Sequence, residues 1–200
     1  MKILLIRHGE SEADLLNVHE GRADYPLTKM GKEQALCMAN RVKKEFNVEK
    51  IWSSTLKRAE ETAKVLRKQI GCEIEFLDEL QEHNNGDLAG KPFSEVKHPV
   101  NLLPHEKVGT FGESKIEFRM RAEQVLSRIL DKSKGFEEIA IVSHGGMISR
   151  IIESFLQLPV IHNSYFLTGD TGIHLLEINK EGRLVLFTNN TNHLLTMDKQ

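Results

Sequence analysis

Apolar residues in this chain follow two alternating patterns. The first is the short unbroken run. Ile3-Leu4-Leu5-Ile6 and Ile139-Ala140-Ile141-Val142 are bounded by charge or by turn-forming residues. Such runs read as strands buried on both faces. Lys50-Ile51-Trp52-Ser53 and residues 73–77 predict two further strands. Between the strands the spacing becomes helical. Thr28 is a candidate cap for a helix whose buried stripe is Ala35, Met38, Ala39, Val42 and Phe46. Ser53-Ser54-Thr55 precedes a helix over 56–69, with Ala59, Ala63 and Leu66 inward. Ser114-Lys115-Ile116-Glu117 fits a capping box and opens a helix carrying Phe118, Ala122, Val125 and Ile129. Residues 147–156 continue as a helix with Ile148, Ile151, Ile152 and Phe155 inward. Residues 172–178 and 184–187 read as a closing hairpin.

Two stretches escape both patterns. Residues 11–25 read as a long loop, and long loops inside compact domains are often functional. Residues 90–113, with Pro92, Pro99 and Pro104, read as a short lid or insertion. The resulting order, β-α-β-α-β-(insert)-α-β-α-β-β, predicts an α/β fold, a mostly parallel sheet with helices on both faces. At 200 residues a single domain over the whole chain is expected.

This topology brings distant residues together. Parallel strands place all their carboxyl ends on one edge, where open α/β sheets bind ligands. The first strand runs into Arg7-His8-Gly9-Glu10, and Ile139-Ala140-Ile141-Val142 runs into Ser143-His144-Gly145-Gly146. The second motif echoes the first: apolar run, polar residue, His-Gly. Arg58, in the first turn of its helix, and Glu82, after the third strand, are expected at the same edge. A cation near a helix N-terminus is poorly placed on dipole grounds unless an anion joins it. Arginine forks and helix N-termini suit phosphate. A neutral histidine held through one ring nitrogen can attack phosphorus with the other. A carboxylic acid can protonate the departing oxygen and then take a proton from water. A protonated second histidine and the two arginines would hold the developing charge. These arguments leave open which histidine is the nucleophile.

Composition narrows the partners. There are 27 Lys and Arg against 29 Asp and Glu, with no basic tract, which argues against nucleic acid. No apolar run reaches membrane-spanning length. Cys37 and Cys72 lack metal-like spacing and read as reduced thiols in a cytoplasmic protein. No His, Cys and Asp cluster has metal-ligand spacing, so neither metal nor other cofactor is expected. Oligomeric state is not readable here, because no exposed apolar stripe can be told from core.

The motifs together resemble the histidine phosphatase superfamily, the phosphoglycerate mutase-like clan. They are Ile6-Arg7-His8-Gly9-Glu10-Ser11, Gly21-Arg22-Ala23-Asp24-Tyr25-Pro26-Leu27-Thr28, Ser53-Ser54-Thr55-Leu56-Lys57-Arg58-Ala59-Glu60-Glu61-Thr62-Ala63, Leu80-Gln81-Glu82 to Gly90, and Val142-Ser143-His144-Gly145-Gly146. They occur in the family order over nearly the whole chain. The resemblance implies a three-layer α/β/α sandwich, a metal-free reaction and a small phosphorylated metabolite as substrate. It implies His8 as the phosphorylated residue, Glu82 as the proton donor, and Arg7, Arg58, His144 and Gly145 in the phosphate pocket. Asp14 stands where the family usually has an asparagine and is kept as a pocket residue. Asp170 likewise replaces a common asparagine, and Leu88-Ala89-Gly90 a common Trp-Glu-Gly. Glu10 is expected to support the pocket cations from behind. The short stretch between Gly90 and Ser114 favours a phosphatase over a cofactor-dependent phosphoglycerate mutase, which carries a longer insertion. A non-catalytic phospho-ligand binder is the other alternative. His83, His19 and His193 are candidates for the substrate side of the cleft. His98, His105, His162 and His174 are expected to be structural or solvent-facing.

Overall fold

The computed structural model describes all residues except His98, Val100, Asn163 and Gln200, and omits the side chains of Thr196, Asp198 and Lys199. Its centre is a six-stranded sheet. The strands are β1 (Lys2–Arg7), β2 (Lys50–Ser54), β3 (Glu73–Leu77), β4 (Glu138–Ser143), β5 (Ile173–Asn179) and β6 (Gly182–Asn190), in the order β3-β2-β4-β1-β5-β6. β1, β2, β3 and β4 are mutually parallel, and the β5-β6 hairpin closes one side antiparallel. The helices are α1 (Glu12–Leu16), α2 (Lys29–Glu45), α3 (Lys57–Ile70), α4 (Lys115–Lys132) and α5 (Gly145–Phe155).

Alternation along β1 explains the three layers, because neighbouring strand residues face opposite sides. Ile3 and Leu5 join Trp52, Ile139 and Ile141 against α4 and α5. Leu4 and Ile6 join Ile51, Ala140 and Val142 against α2 and α3. All four β1 apolar side chains are fully buried, as the unbroken run requires.

The register positions the chemistry. Ile6 pairs with Val142 and Arg7 with Ser143, so the two His-Gly motifs leave the sheet side by side. The His8 N–H donates to the Ser143 carbonyl at 3.0 Å, and the Thr171 N–H donates to the His8 carbonyl at 3.1 Å. The chain after β1 then passes close to α2. A Cβ on Gly9 would lie 2.4 Å from the Gly31 carbonyl oxygen, and one on Gly31 would lie 2.0 Å from that of Glu10. Only two glycines permit this approach.

Several elements depart from the sequence reading. Residues 11–25 contain the short helix α1, built on a capping box between Ser11 and Asp14. Helix α3 starts one residue later than expected, with Leu56 as N-cap, and the Ser54 hydroxyl accepts from the Leu56 N–H at 3.3 Å. Helix α5 starts at Gly145, because His144 itself is the N-cap. β6 is longer than the apolar pattern suggested, since its exposed face carries polar residues. A 3₁₀ helix, Asn192–Lys199, ends the chain. The described residues of the stretch 90–113 form turns and isolated bridges, and its start is pinned to residues 17–19: Gly90 N–H donates to His19 O at 2.8 Å and His19 N–H to Lys91 O at 2.9 Å.

Candidate active site

His8 is 1% exposed at the end of β1. Its Nδ1 lies 2.7 Å from the Gly9 carbonyl oxygen, which accepts only if Nδ1 carries the proton. Nε2 is then the bare nitrogen, and the Arg58 Nε–H donates to it at 3.2 Å. Burial first, then Arg58 and Arg7, push the imidazole pKa well below its usual value, so the ring is neutral. A neutral ring held through one nitrogen leaves the other as a lone-pair donor, the form that nucleophilic attack requires.

The cations come from the neighbouring strand ends. Arg58 is fully buried in the first turn of α3, where Nη1 donates to Ala23 O at 2.8 Å and Nη2 to Gly21 O at 2.9 Å. Arg7 Nη1 donates to Thr168 O at 2.8 Å, and Nη2 lies 3.5 Å from the Asp170 carboxylate. Burial pushes the Asp170 carboxyl up against the opposing pull of Arg7, and Asp14 and Glu10 add to the rise. His144 is fully buried, with its ring centroid 5.1 Å from that of His8. Its Nε2 lies 2.8 Å from the Ser54 hydroxyl. Burial, then Arg58 and His8, hold its pKa well below the usual value. The second histidine is therefore neutral in the resting pocket, contrary to the protonated form expected; the cations beside it exclude a further charge until an anion arrives. Beside His8, two buried polar atoms have no hydrogen-bond partner among the described residues: Arg7 Nε and His144 Nδ1. Buried polar groups are rarely left so, and a pair of them at one spot marks a place for an oxyanion.

Glu82 lies beyond β3, with Oε1 accepting from the His83 N–H and Oε2 from the Gly146 N–H, each at 2.8 Å. The glycine that meets Glu82 is thus Gly146, the neighbour of the Gly145 expected in the phosphate pocket. A Cβ at Gly146 would lie 2.5 Å from Glu82 Oε1, whereas one at Gly145 would meet only Arg7 Cδ at 3.9 Å. The Glu82 backbone is clasped from behind by Arg121 on α4. Its guanidinium donates to the carbonyls of Glu79 at 2.8 Å, Gln81 at 2.6 Å and Glu82 at 3.0 Å, and to both Glu113 oxygens at 2.7 Å. Burial works against the Glu113 charge, but Arg121, the Asn84 N–H and Arg22 hold its pKa below the usual carboxylate value.

Other expectations resolve residue by residue. Asp14 accepts from the Ser11 N–H at 2.8 Å and lies 3.1 Å from the Ser11 hydroxyl, so its carboxylate serves the α1 cap at the edge of the pocket. Glu10 accepts from the Thr28 hydroxyl at 2.6 Å; it joins the α2 cap and makes no ion pair with the pocket arginines. The carboxylate beside the cations is instead Glu20, which the sequence reading passed over. Glu20 Oε1 is 3.6 Å from Arg58 Nε and accepts from Ser11 Oγ at 2.6 Å, and Oε2 is 4.0 Å from His8 Nε2. A cavity of about 600 Å³ opens beside it, with Glu20, Gly21, Glu82, His83 and Gly146 in its lining. His83 therefore lines this cavity. His19 is buried, bonded to the Val96 carbonyl, and His193 is buried beside the Thr171 hydroxyl at 2.8 Å. His174 is buried and His105 exposed, as expected. His162 lines the cavity and lies 3.1 Å from the buried Glu153 carboxylate. His98 lies outside the described residues. No group of three or more His, Cys, Asp or Glu among the described residues could hold a metal ion. No described helix is long and apolar enough to cross a membrane.

Fold and site together define a class: an α/β protein with two neutral histidines and two arginines gathered at parallel strand ends. Within that class the chain belongs to the histidine phosphatase superfamily (branch 1), whose model matches residues 3–191. Phosphoglycerate mutase-like protein 4 of Arabidopsis thaliana is 33% identical over 162 residues, covering 76% of this chain and 70% of that protein. A probable phosphoglycerate mutase of Escherichia coli is 31% identical over 166 residues, covering 80% and 76%. Among solved structures, phosphoserine phosphatase of Entamoeba histolytica in complex with 3-phosphoglyceric acid superposes with a TM-score of 0.81 at 29% identity, covering 96% of this chain and 98% of that one. A mutant of the same enzyme holds phosphoserine, with a TM-score of 0.81 and 28% identity.

Proposed function

We propose that this protein is a metal-independent phosphomonoesterase that hydrolyses small phosphorylated metabolites through a phosphohistidine on His8. The observation that carries the proposal is the pair of unpartnered atoms, Arg7 Nε and His144 Nδ1, beside a histidine whose bare Nε2 is already fixed. In the first step His8 Nε2 attacks phosphorus and the bond to the leaving oxygen breaks. Glu82, protonated, gives its proton to that oxygen. Arg7, Arg58 and His144 take the three phosphoryl oxygens as their charge grows. His144 donates through Nδ1–H while the Ser54 hydroxyl, 2.8 Å away, donates to its Nε2. In the second step Glu82, now a carboxylate, takes a proton from water as the water attacks phosphorus and the N–P bond breaks. Phosphate leaves and His8 is neutral again. Asp14 keeps to the rim through Ser11, and Gly145 starts the helix whose N-terminus faces the pocket. The chemistry and the free thiols suit a cytoplasmic enzyme.

Turnover of p-nitrophenyl phosphate in the presence of a chelator tests the reading. His8→Ala is expected to abolish both hydrolysis and ³²P-labelled phosphoenzyme. Hydrolysis by that variant near the wild-type rate refutes His8 as nucleophile, and no turnover by the wild type leaves a phospho-ligand binder. The named relatives give a second reading, a mutase. Isomerisation of phosphoglycerate that is fast and stimulated by bisphosphoglycerate would establish it in place of the hydrolase.

A further inference from the structure

The cavity beside Glu82 is larger than a three-carbon phosphoester needs. Its volume of about 600 Å³ falls in the range of sites for drug-sized ligands. Glu20, Gly21, Glu82 and Gly146 form the end next to the phosphate pocket. Because Glu82 is the group that protonates the leaving oxygen, the alcohol half of the substrate must extend into this space.

The rest of the lining is of two kinds. Leu102, Val108 and Phe118 approach from the lid and from α4; Val160, Ile161 and Tyr165 approach from the segment after α5. Of these, Val160, Ile161 and Tyr165 are 45%, 64% and 63% exposed, so apolar surface waits uncovered at the cavity rim. Among them stand three basic groups, Lys115, Arg150 and His162. Arg150 and His162 both lie against one fully buried carboxylate, which Arg119 also approaches at 4.0 Å. Glu153 Oε2 lies 2.8 Å from Arg150 Nη1 and 3.1 Å from His162 Nε2. The Arg150 guanidinium also lies 5.2 Å from the Tyr165 ring centroid. Lys115 forms no ion pair with the described residues, so the basic side of the cavity carries an uncompensated charge. The cavity is therefore acidic where the ester oxygen leaves, apolar along its walls, and basic around Lys115, Arg150 and His162.

Building on the phosphatase reading, we infer that the preferred substrate is a phosphomonoester whose alcohol half is an apolar, ring-sized body bearing a second anionic group. The walls bury the ring, the Tyr165 face and Ile161 close over it, and Lys115 with Arg150 receives the second anion. Glu153 fixes Arg150 in the required rotamer; it is a positioning residue and does not touch the substrate. Small esters such as phosphoserine occupy the phosphate pocket but leave the apolar walls uncovered.

The test compares kcat/KM for naphthyl phosphate, a carboxynaphthyl phosphate and phosphoserine. The expected order places the carboxynaphthyl ester about tenfold above naphthyl phosphate and both above phosphoserine, since a charged hydrogen bond at a partly buried site is worth about that factor. Lys115→Gln and Arg150→Gln are then expected to collapse the ratio between the two naphthyl esters toward one. Arg150→Gln strips a partner from buried Glu153 and can unfold the chain; Lys115 is exposed, so its variant keeps the test decisive. Phosphoserine turned over as well as the carboxynaphthyl ester overturns the inference. So does an equal loss on both naphthyl esters in Lys115→Gln, or an unchanged ratio. Each of these leaves the phosphatase reading standing; absence of turnover on every ester would instead end both.

Discussion

Glu20→Gln isolates an electrostatic conflict inside the pocket. The carboxylate sits 3.6 Å from Arg58 Nε and 4.0 Å from His8 Nε2, where the oxygens of a bound phosphoryl group would lie. It therefore competes with the substrate for the same cation. Two unit charges about 4 Å apart at an effective dielectric near 20 interact by about 4 kcal/mol. Glu20 is 21% exposed, and its side chain can turn toward solvent when an anion enters. Screening and this relaxation reduce the repulsion to about 1–2 kcal/mol, or ~5- to 30-fold in affinity. The amide keeps the oxygen that accepts from Ser11, and Arg58 keeps its bonds to Ala23 and Gly21, so the fold should hold. The measurement is inhibition of p-nitrophenyl phosphate hydrolysis by inorganic phosphate and by orthovanadate. Both inhibition constants should fall by that factor, more at low salt than at high salt. An unchanged or weakened inhibition would refute the reasoning, because it would mean that Glu20 already stands clear of the bound anion.

Three other outcomes follow from the geometry. Gly146→Ala drives a methyl group into the Glu82 carboxylate, 2.5 Å from the Cβ position, and the flexible acid must move; kcat should fall by roughly 10²-fold, the lower range for general acid catalysis, with the thermal midpoint nearly unchanged, and a wild-type kcat would remove Glu82 from the mechanism. Burial, with Arg58 and Arg7, keeps His8 neutral well below the ordinary histidine pKa, so kcat/KM should show no downturn of histidine type between about pH 7 and pH 6; a downturn centred near 6.5 contradicts the assignment. His174 and His193 have pKa values lowered by burial to about 4, so the unfolded chain binds their protons first as pH falls. Their contribution to stability is present above about 6.5 and lost between there and about 4. The thermal midpoint should fall over that window, and His174→Gln should flatten the fall.

Much of this site is visible in the chain because topology forces it. Two unbroken apolar runs identify β1 and β4 as central parallel strands, and the polar residues that follow them must then emerge together. Arg58 is legible for the same reason, as the first turn after β2. What the sequence hides is the partner of each group. Glu10, Asp14 and Glu20 are three of the four carboxylates within eleven positions, and nothing in their spacing tells which caps a helix and which faces the cations. Helix α1, only five residues long, decides it by turning Asp14 onto Ser11 and leaving Glu20 at Arg58. Gly145 and Gly146 are likewise equivalent until α5 is seen to start at Gly145, which aims the next N–H at Glu82. Arg121 lies on α4 among other charged residues, and its grip on three carbonyls depends on a loop conformation that no periodicity encodes. His162 belongs to a segment without regular structure, so only the fold could bring it to the cavity.

The Arg121 clasp has a consequence for how the molecule fails. His8 hangs from β1, which is bonded on both sides by β4 and β5 in the interior of the sheet. Glu82 hangs from a loop after β3, an outer strand bonded only to β2. The proposed nucleophile thus belongs to the part of the chain expected to open last and the proposed acid to a part expected to open earlier, since regions with fewer buried contacts open at lower free energy. Arg121 ties that loop to α4 with several hydrogen bonds at a single guanidinium. Gentle heating should therefore separate the two halves of the chemistry, leaving an intact sheet that can still hold phosphate but no longer has a proton to give.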